Sequence, residues 1–286
     1  MISGAAPTKP NVFLRTIGKV PKDALTDIEM VLRECYRRLE PHNVELLDLL
    51  VFENATQMNS FYASEKETSG VTSETLSERF FAVHDAWRGT PRIGICLEAM
   101  AQLPRLIQIG SLRHEVGHSV LHGSLEYYVF SITPPLLQAT RRLRLGNDYS
   151  FTILYLISVA VKDFEVTTFL VQKEYVEDQV GYSLHALKSS EDDLTAWRMA
   201  EGNSAAEALC LAGRLKDTAC TIAIRNTLQR PLAETLRQEL SYLPDRILTK
   251  FLSFAEVLPK RLTGETLENV NATVRLFVET FLKPTF

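Results

Sequence analysis

Apolar residues fall in distinct rhythms along the chain. From about Asp23 to Glu40 they recur at Ile28, Val31, Leu32, Cys35 and Leu39, the spacing of one helix face, and Pro41 stops the run. Val44 to Glu53 (VELLDLLVFE) is short and continuously apolar, as a buried strand is. Asn54 is suited to cap a short helix through Tyr62, and the polar run Ser64–Thr75 reads as a loop. FFAVHDAW (Phe80–Trp87) and RIGICLE (Arg92–Glu98) read as two more strands joined by the turn RGTP. A helix follows Pro104 and ends at Gly123, and a second starts at Pro134 and closes at Gly146-Asn147. A long apolar helix is expected over Tyr149–Gln179. Beyond Glu191 the pattern is helical, with breaks near Gly202, Pro231, Pro244 and Gly264.

This layout predicts an α+β chain: a small sheet with its helices, a central pair of long helices, and a largely helical C-terminal part. The layout places a first domain over residues 1–190 and a helical region over 191–286, either separate or packed as one unit. The most apolar run, Phe151–Val161, is 11 residues, whereas a membrane span needs about 20. It therefore predicts a buried helix and no membrane partner. A hydrophobic fraction of 45% and a net charge of −4 are those of an ordinary globular protein, and give no basic surface for nucleic acid. Cys35, Cys96, Cys210 and Cys220 sit in apolar runs without a C-x-x-C pair, and the N-terminus lacks the apolar core of a signal peptide. Both features point to a reducing, cytoplasmic setting.

Chemistry concentrates in RHEVGHSVLH, Arg113–His122. His114 and His118 are one helical turn apart on one face, so both imidazoles can reach a single ion. Glu115 lies about 100° round the helix, near enough to meet a water on that ion without ligating it. This is H-E-x-x-H, in which zinc activates a water and the glutamate takes its proton. The neighbours Leu112, Val116, Gly117, Ser119 and Val120 are uncharged, as a buried ligand helix requires. The alternative is a structural histidine pair. His122 continues the spacing but lies about 12 Å along the axis from His114, too far to share one ion. It reads as a residue supporting a ligand, or as a helix end.

Catalytic zinc keeps three protein ligands and a water. VKDFEVTTFL (Val161–Leu170) places two acids inside the most apolar helix, and an unpartnered buried acid is costly. Asp163 shares its face with Leu156, Val159, Ala160, Val166 and Leu170. Glu165 shares its face with Ser158, Lys162, Thr168 and Gln172, and is the longer side chain. One of the two is expected as the third ligand, and the other could orient a ligating imidazole.

RHEVGHSVLHG resembles the active-site helix of gluzincin-type zinc metallopeptidases, above all the compact ImmA/IrrE-like and minigluzincin group. The resemblance implies a zincin-like fold, with the active-site helix packed on a long second helix, and a peptide or protein substrate. It also implies an acid on a later helix within E-x-x-A-(D/N)-x-F. DFEVTTF follows that pattern loosely, with Asp163 at the acid, Val166 at the alanine, Thr167 at the second polar position and Phe169 at the phenylalanine. The group also pairs extended substrates along an edge strand before the active-site helix, the place of TPRIGICLE here. Gly94 would then admit a substrate backbone, or, if the strand is interior, simply ease packing.

His84, Asp85, Tyr175, Tyr182 and His185 could face the cleft, where a Tyr or His would stabilise an oxyanion, while Trp87 and Phe80-Phe81 read as core. Three functions compete: a zinc peptidase with Glu115 as general base, a zincin-fold binding or regulatory protein of little activity, and a structural zinc site with a fourth protein ligand and no water. The intact Glu115 favours the first.

Overall fold

A computed structural model describes residues 9–69 and 81–283. In chain order the elements are β1 (Asn11–Ile17), α1 (Lys22–Arg38), β2 (Leu46–Phe52), α2 (Ala55–Ser69), β3 (Ala82–Asp85), β4 (Arg92–Cys96), α3 (Leu97–Ala101) and α4 (Arg105–Leu121). A 3-10 turn (Leu125–Tyr128) precedes α5 (Pro134–Arg142), α6 (Asn147–Gln172), α7 (Glu177–Leu187), α8 (Glu191–Ala200), α9 (Ser204–Ala223), α10 (Leu232–Glu239), α11 (Asp245–Val257) and α12 (Thr266–Phe281). The chain is α+β, with a small mixed sheet and a mainly helical remainder.

It divides into two compact units: Met1–Tyr128 with Gln172–Tyr182, and Val129–Val171 with Ser183–Phe286. These bounds differ from a division at residue 190. The reason lies in the apolar faces of α5 and α6, where Leu136, Ile153, Ile157 and Val161 pack into one core with Leu211, Leu215, Phe251, Val274 and Phe277 of the C-terminal helices.

In the first unit the strand order is β1-β2-β4-β3. β1 and β4 run parallel to β2, and β3 returns antiparallel to β4. The β3–β4 connection turns at Gly89, whose φ of 89° suits glycine and whose amide donates to the Ala86 carbonyl. The strand expected at Phe80–Trp87 is observed as Ala82–Asp85, with Phe80 outside the described residues. Of the polar run Ser64–Thr75, residues 64–69 continue α2 rather than forming a loop, and 70–75 lie outside the described residues.

β1 carries no signature in the sequence pattern. All but the last of its residues are exposed, so no inward-outward alternation marks it, and it is held by pairing along β2. β4, expected as a possible substrate-pairing edge, is interior, bonded to β2 on one side and β3 on the other. Gly94 is explained by packing: a Cβ there would collide with the Tyr62 hydroxyl and press on Val83. The predicted long helix is also shorter. α6 stops at Gln172, because Glu174 takes φ 66° and the chain turns to bury Tyr175 before α7. The helical breaks beyond Glu191 fall where proline and glycine place them, with Pro231 and Pro244 capping α10 and α11.

The Gly94–Tyr62 contact gives a coupled test. The Tyr62 hydroxyl is buried with no hydrogen-bond partner among the described residues, so Tyr62→Phe should change stability by less than about 1 kcal/mol. Gly94→Ala should cost about 1–3 kcal/mol by overpacking, and most of that cost should vanish in the Tyr62→Phe background. Denaturant melts of the four proteins check this; additive effects would contradict the packing explanation.

Candidate metal centre

α4 carries the expected motif inside the first unit. Pro104 starts the helix, and every residue from His114 to Ser119 is buried. Three sets of bonds fix its rotation. The Tyr36 hydroxyl donates to Ser119 Oγ at 2.7 Å, Ser119 giving its own proton to the Val116 carbonyl. Arg113 spans Glu34 at 3.0 Å and Asp178 at 2.9 Å, with its guanidinium 4.2 Å from the Tyr175 ring centroid. Gln179 Nε2 donates to the Gly110 carbonyl, and a Cβ on Gly110 would collide with the Asp178 carbonyl. The helix is thereby clamped against α1 and the start of α7, one residue from His114.

The histidines meet at close range. His114 and His118 are 2% and 8% exposed, and their Nε2 atoms are 3.1 Å apart. Two nitrogens bound to one tetrahedral zinc at its usual distance would be about 3.3–3.4 Å apart. The observed pair is within a few tenths of an ångström of that spacing. Glu115, 6% exposed, is on the same buried stretch. Around the pair lies an aromatic shell: the Tyr182 ring is 4.8 Å from His114, and the His84 ring stacks on His118 at 5.7 Å with 8° between planes. The Tyr128 hydroxyl meets His84 Nδ1 at 2.9 Å. His122 is buried as the helix C-cap, its Nδ1 3.3 Å from His118 Nδ1 and its ring against Tyr127.

The cleft candidates separate accordingly. His84 and Tyr182 flank the histidines. Tyr175 gives its proton to Glu34, and burial raises its phenol above the ordinary range. Asp85 is clasped by the Arg92 guanidinium through both carboxylate oxygens. Burial pushes its carboxyl up to about 6 against the pull of that arginine, and its role is to partner a buried cation. Trp87 lies beside the Arg92 guanidinium, its ring centroid 5.5 Å away. His185 lies on α7 in the second unit.

The two acids of α6, also in the second unit, have different surroundings. Glu165 accepts from Thr266 Oγ1 at 2.8 Å and from Asn269 Nδ2 at 2.6 Å. Each of its oxygens thus accepts a hydrogen bond that ties α6 to α12, a structural role that needs no metal. Asp163 has a carboxylate oxygen within 4.8 Å of the Cys220 sulfur, and the Cys220 thiol lies 4.0 Å from the Asp163 carbonyl. Cys220 is a buried free thiol. Sequence patterning reads it as a small hydrophobe, and no local signal ties it to an acid 57 residues earlier.

No family model, curated protein or solved structure matches the chain. Among the described residues, no helix is long and apolar enough to cross a membrane.

Glu165→Ala should lower stability by about 1–3 kcal/mol through loss of two hydrogen bonds to a carboxylate, while leaving metal uptake unchanged. Thermal melts paired with elemental analysis check this; loss of metal from a stably folded variant would make Glu165 a ligand.

Proposed function

We propose that the chain is a zinc-dependent peptidase of zincin-like fold, acting inside the cell on a peptide or protein substrate. The observation that carries this reading is the pair of buried Nε2 atoms at 3.1 Å, with Glu115 adjoining them on one clamped helix. His114 and His118 are two ligands. Asp163 is proposed as the third, because the oxygens of Glu165 are already engaged by Thr266 and Asn269. Zinc held there would lower the pKa of a water and polarise the scissile carbonyl. Glu115 would take the proton of that water and pass it to the leaving amine. His84 and Tyr182, flanking the ligands, are the residues able to donate to developing negative charge on the carbonyl oxygen.

A second reading rests on the Cys220 thiol beside Asp163. If Cys220 joined the ion as a fourth protein ligand, the centre would be closed and structural, with no place for water.

Purified protein should carry one zinc per chain, and the His114→Ala/His118→Ala double variant should carry none; unchanged zinc in that variant removes the metal reading. Glu115→Gln should retain zinc and lose peptidase activity by about 10²-fold or more, since an amide holds a water but cannot accept its proton. An active Glu115→Gln protein would contradict the mechanism. The closed centre predicts instead that Cys220→Ser weakens zinc binding sharply and that the wild-type protein cleaves no peptide.

A further inference from the structure

His118 is approached on both nitrogens. Its Nε2 faces His114 Nε2 at 3.1 Å and its Nδ1 faces His122 Nδ1 at 3.3 Å. An imidazole can bind a metal through Nε2 only when its proton resides on Nδ1. Between two facing Nδ1 atoms there is room for one proton, and its owner decides what His118 can do. Held by His118, the proton leaves the Nε2 lone pair directed at His114. Held by His122, it forces a proton onto His118 Nε2 and blocks that atom as a ligand.

His122 is itself firmly placed. It closes α4 with φ −128° and ψ 27°, its amide donates to the His118 carbonyl at 2.7 Å, and its ring meets Tyr127 edge-on at 5.1 Å. Its backbone and its ring are thus both referenced to His118, and the residue is 1% exposed. The His84 ring, held by Tyr128, stacks on the face of the His118 imidazole and limits its rotation. A buried ligand histidine normally gives its second N–H to an acceptor that sets its tautomer. Here an imidazole one helical turn on faces that second nitrogen of His118.

We propose that His122 is a positioning residue of the metal centre: its Nδ1 accepts the Nδ1 proton of His118 and fixes His118 in the tautomer whose Nε2 lone pair faces His114. The role as support of a metal ligand rests on the zinc reading above; the tautomer itself is a property of the metal-free protein too. In that protein the relay runs in one direction, with His114 Nε2–H donating to His118 Nε2 and His118 Nδ1–H donating to His122. Loading a metal requires that the hydrogen bond between the two Nε2 atoms open and that His114 shift its proton to Nδ1.

Nitrogen-15 spectra of the ring nitrogens, recorded on metal-free protein and on protein loaded with zinc alone, read the tautomer directly, and chelator competition reads zinc affinity. Wild-type His118 should carry its proton on Nδ1 in both states. His122→Phe keeps a ring against Tyr127 but offers no acceptor; it should lose the Nδ1–H preference of His118 and bind zinc about 10–100-fold more weakly. His122→Gln restores an acceptor and should recover part of both. A wild-type spectrum with the His118 proton on Nε2 overturns the proposal whether or not the variants fold. So does a folded His122→Phe with unchanged tautomer and zinc affinity. Wild-type protein that takes up no zinc, yet holds the Nδ1–H tautomer that His122→Phe abolishes, would remove the metal reading and the positioning role with it, leaving only the hydrogen bond.

Discussion

The structure of the first unit depends on burying a helix that is polar at its centre. An α-helix can be surrounded on all sides only if its side chains are apolar or internally satisfied. α4 places His114, Glu115, His118 and Ser119 in that position within six residues. Each polar group must therefore meet another at a defined distance. Tyr36 answers Ser119, Arg113 binds α4 to Glu34 and Asp178, and the imidazoles answer one another. The sheet, α1 and the start of α7 supply the partners, so their positions follow from what α4 cannot leave unsatisfied.

That constraint explains what was legible in the sequence. The H-E-x-x-H spacing and the uncharged residues around it are local signals, and they locate the buried face of α4. Helix ends set by Pro104, Pro231 and Pro244 are local too, since proline acts on its own backbone. β1 was not legible, because its stability lies in pairing with β2 and its side chains carry no burial pattern. The end of α6 at Glu174 was hidden for a related reason: a glutamate with positive φ is unfavourable locally, and burial of Tyr175 against Arg113 accompanies it. Gly94 could be read from sequence as a backbone approach or as a packing site, and only the position of Tyr62 decides between them.

The acids of α6 show the same limit at the level of chemistry. Periodicity puts Asp163 and Glu165 on different faces but cannot say which face meets which partner. Thr266 and Asn269, a hundred residues away in sequence, account for Glu165. Cys220 beside Asp163 introduces a ligand type that spacing rules did not suggest. An open centre with two imidazoles, one carboxylate and water can do hydrolytic chemistry, whereas a centre closed by a thiolate holds a fold together.

X-ray absorption at the zinc edge of the purified wild-type protein tests the central claim most directly. The account predicts a four-coordinate ion with two imidazole nitrogens and oxygen donors near 2.0–2.1 Å, and no sulfur shell. A sulfur neighbour near 2.3 Å would assign Cys220 to the ion and make the centre structural. A zinc-free protein that cannot be loaded would contradict the metal centre altogether.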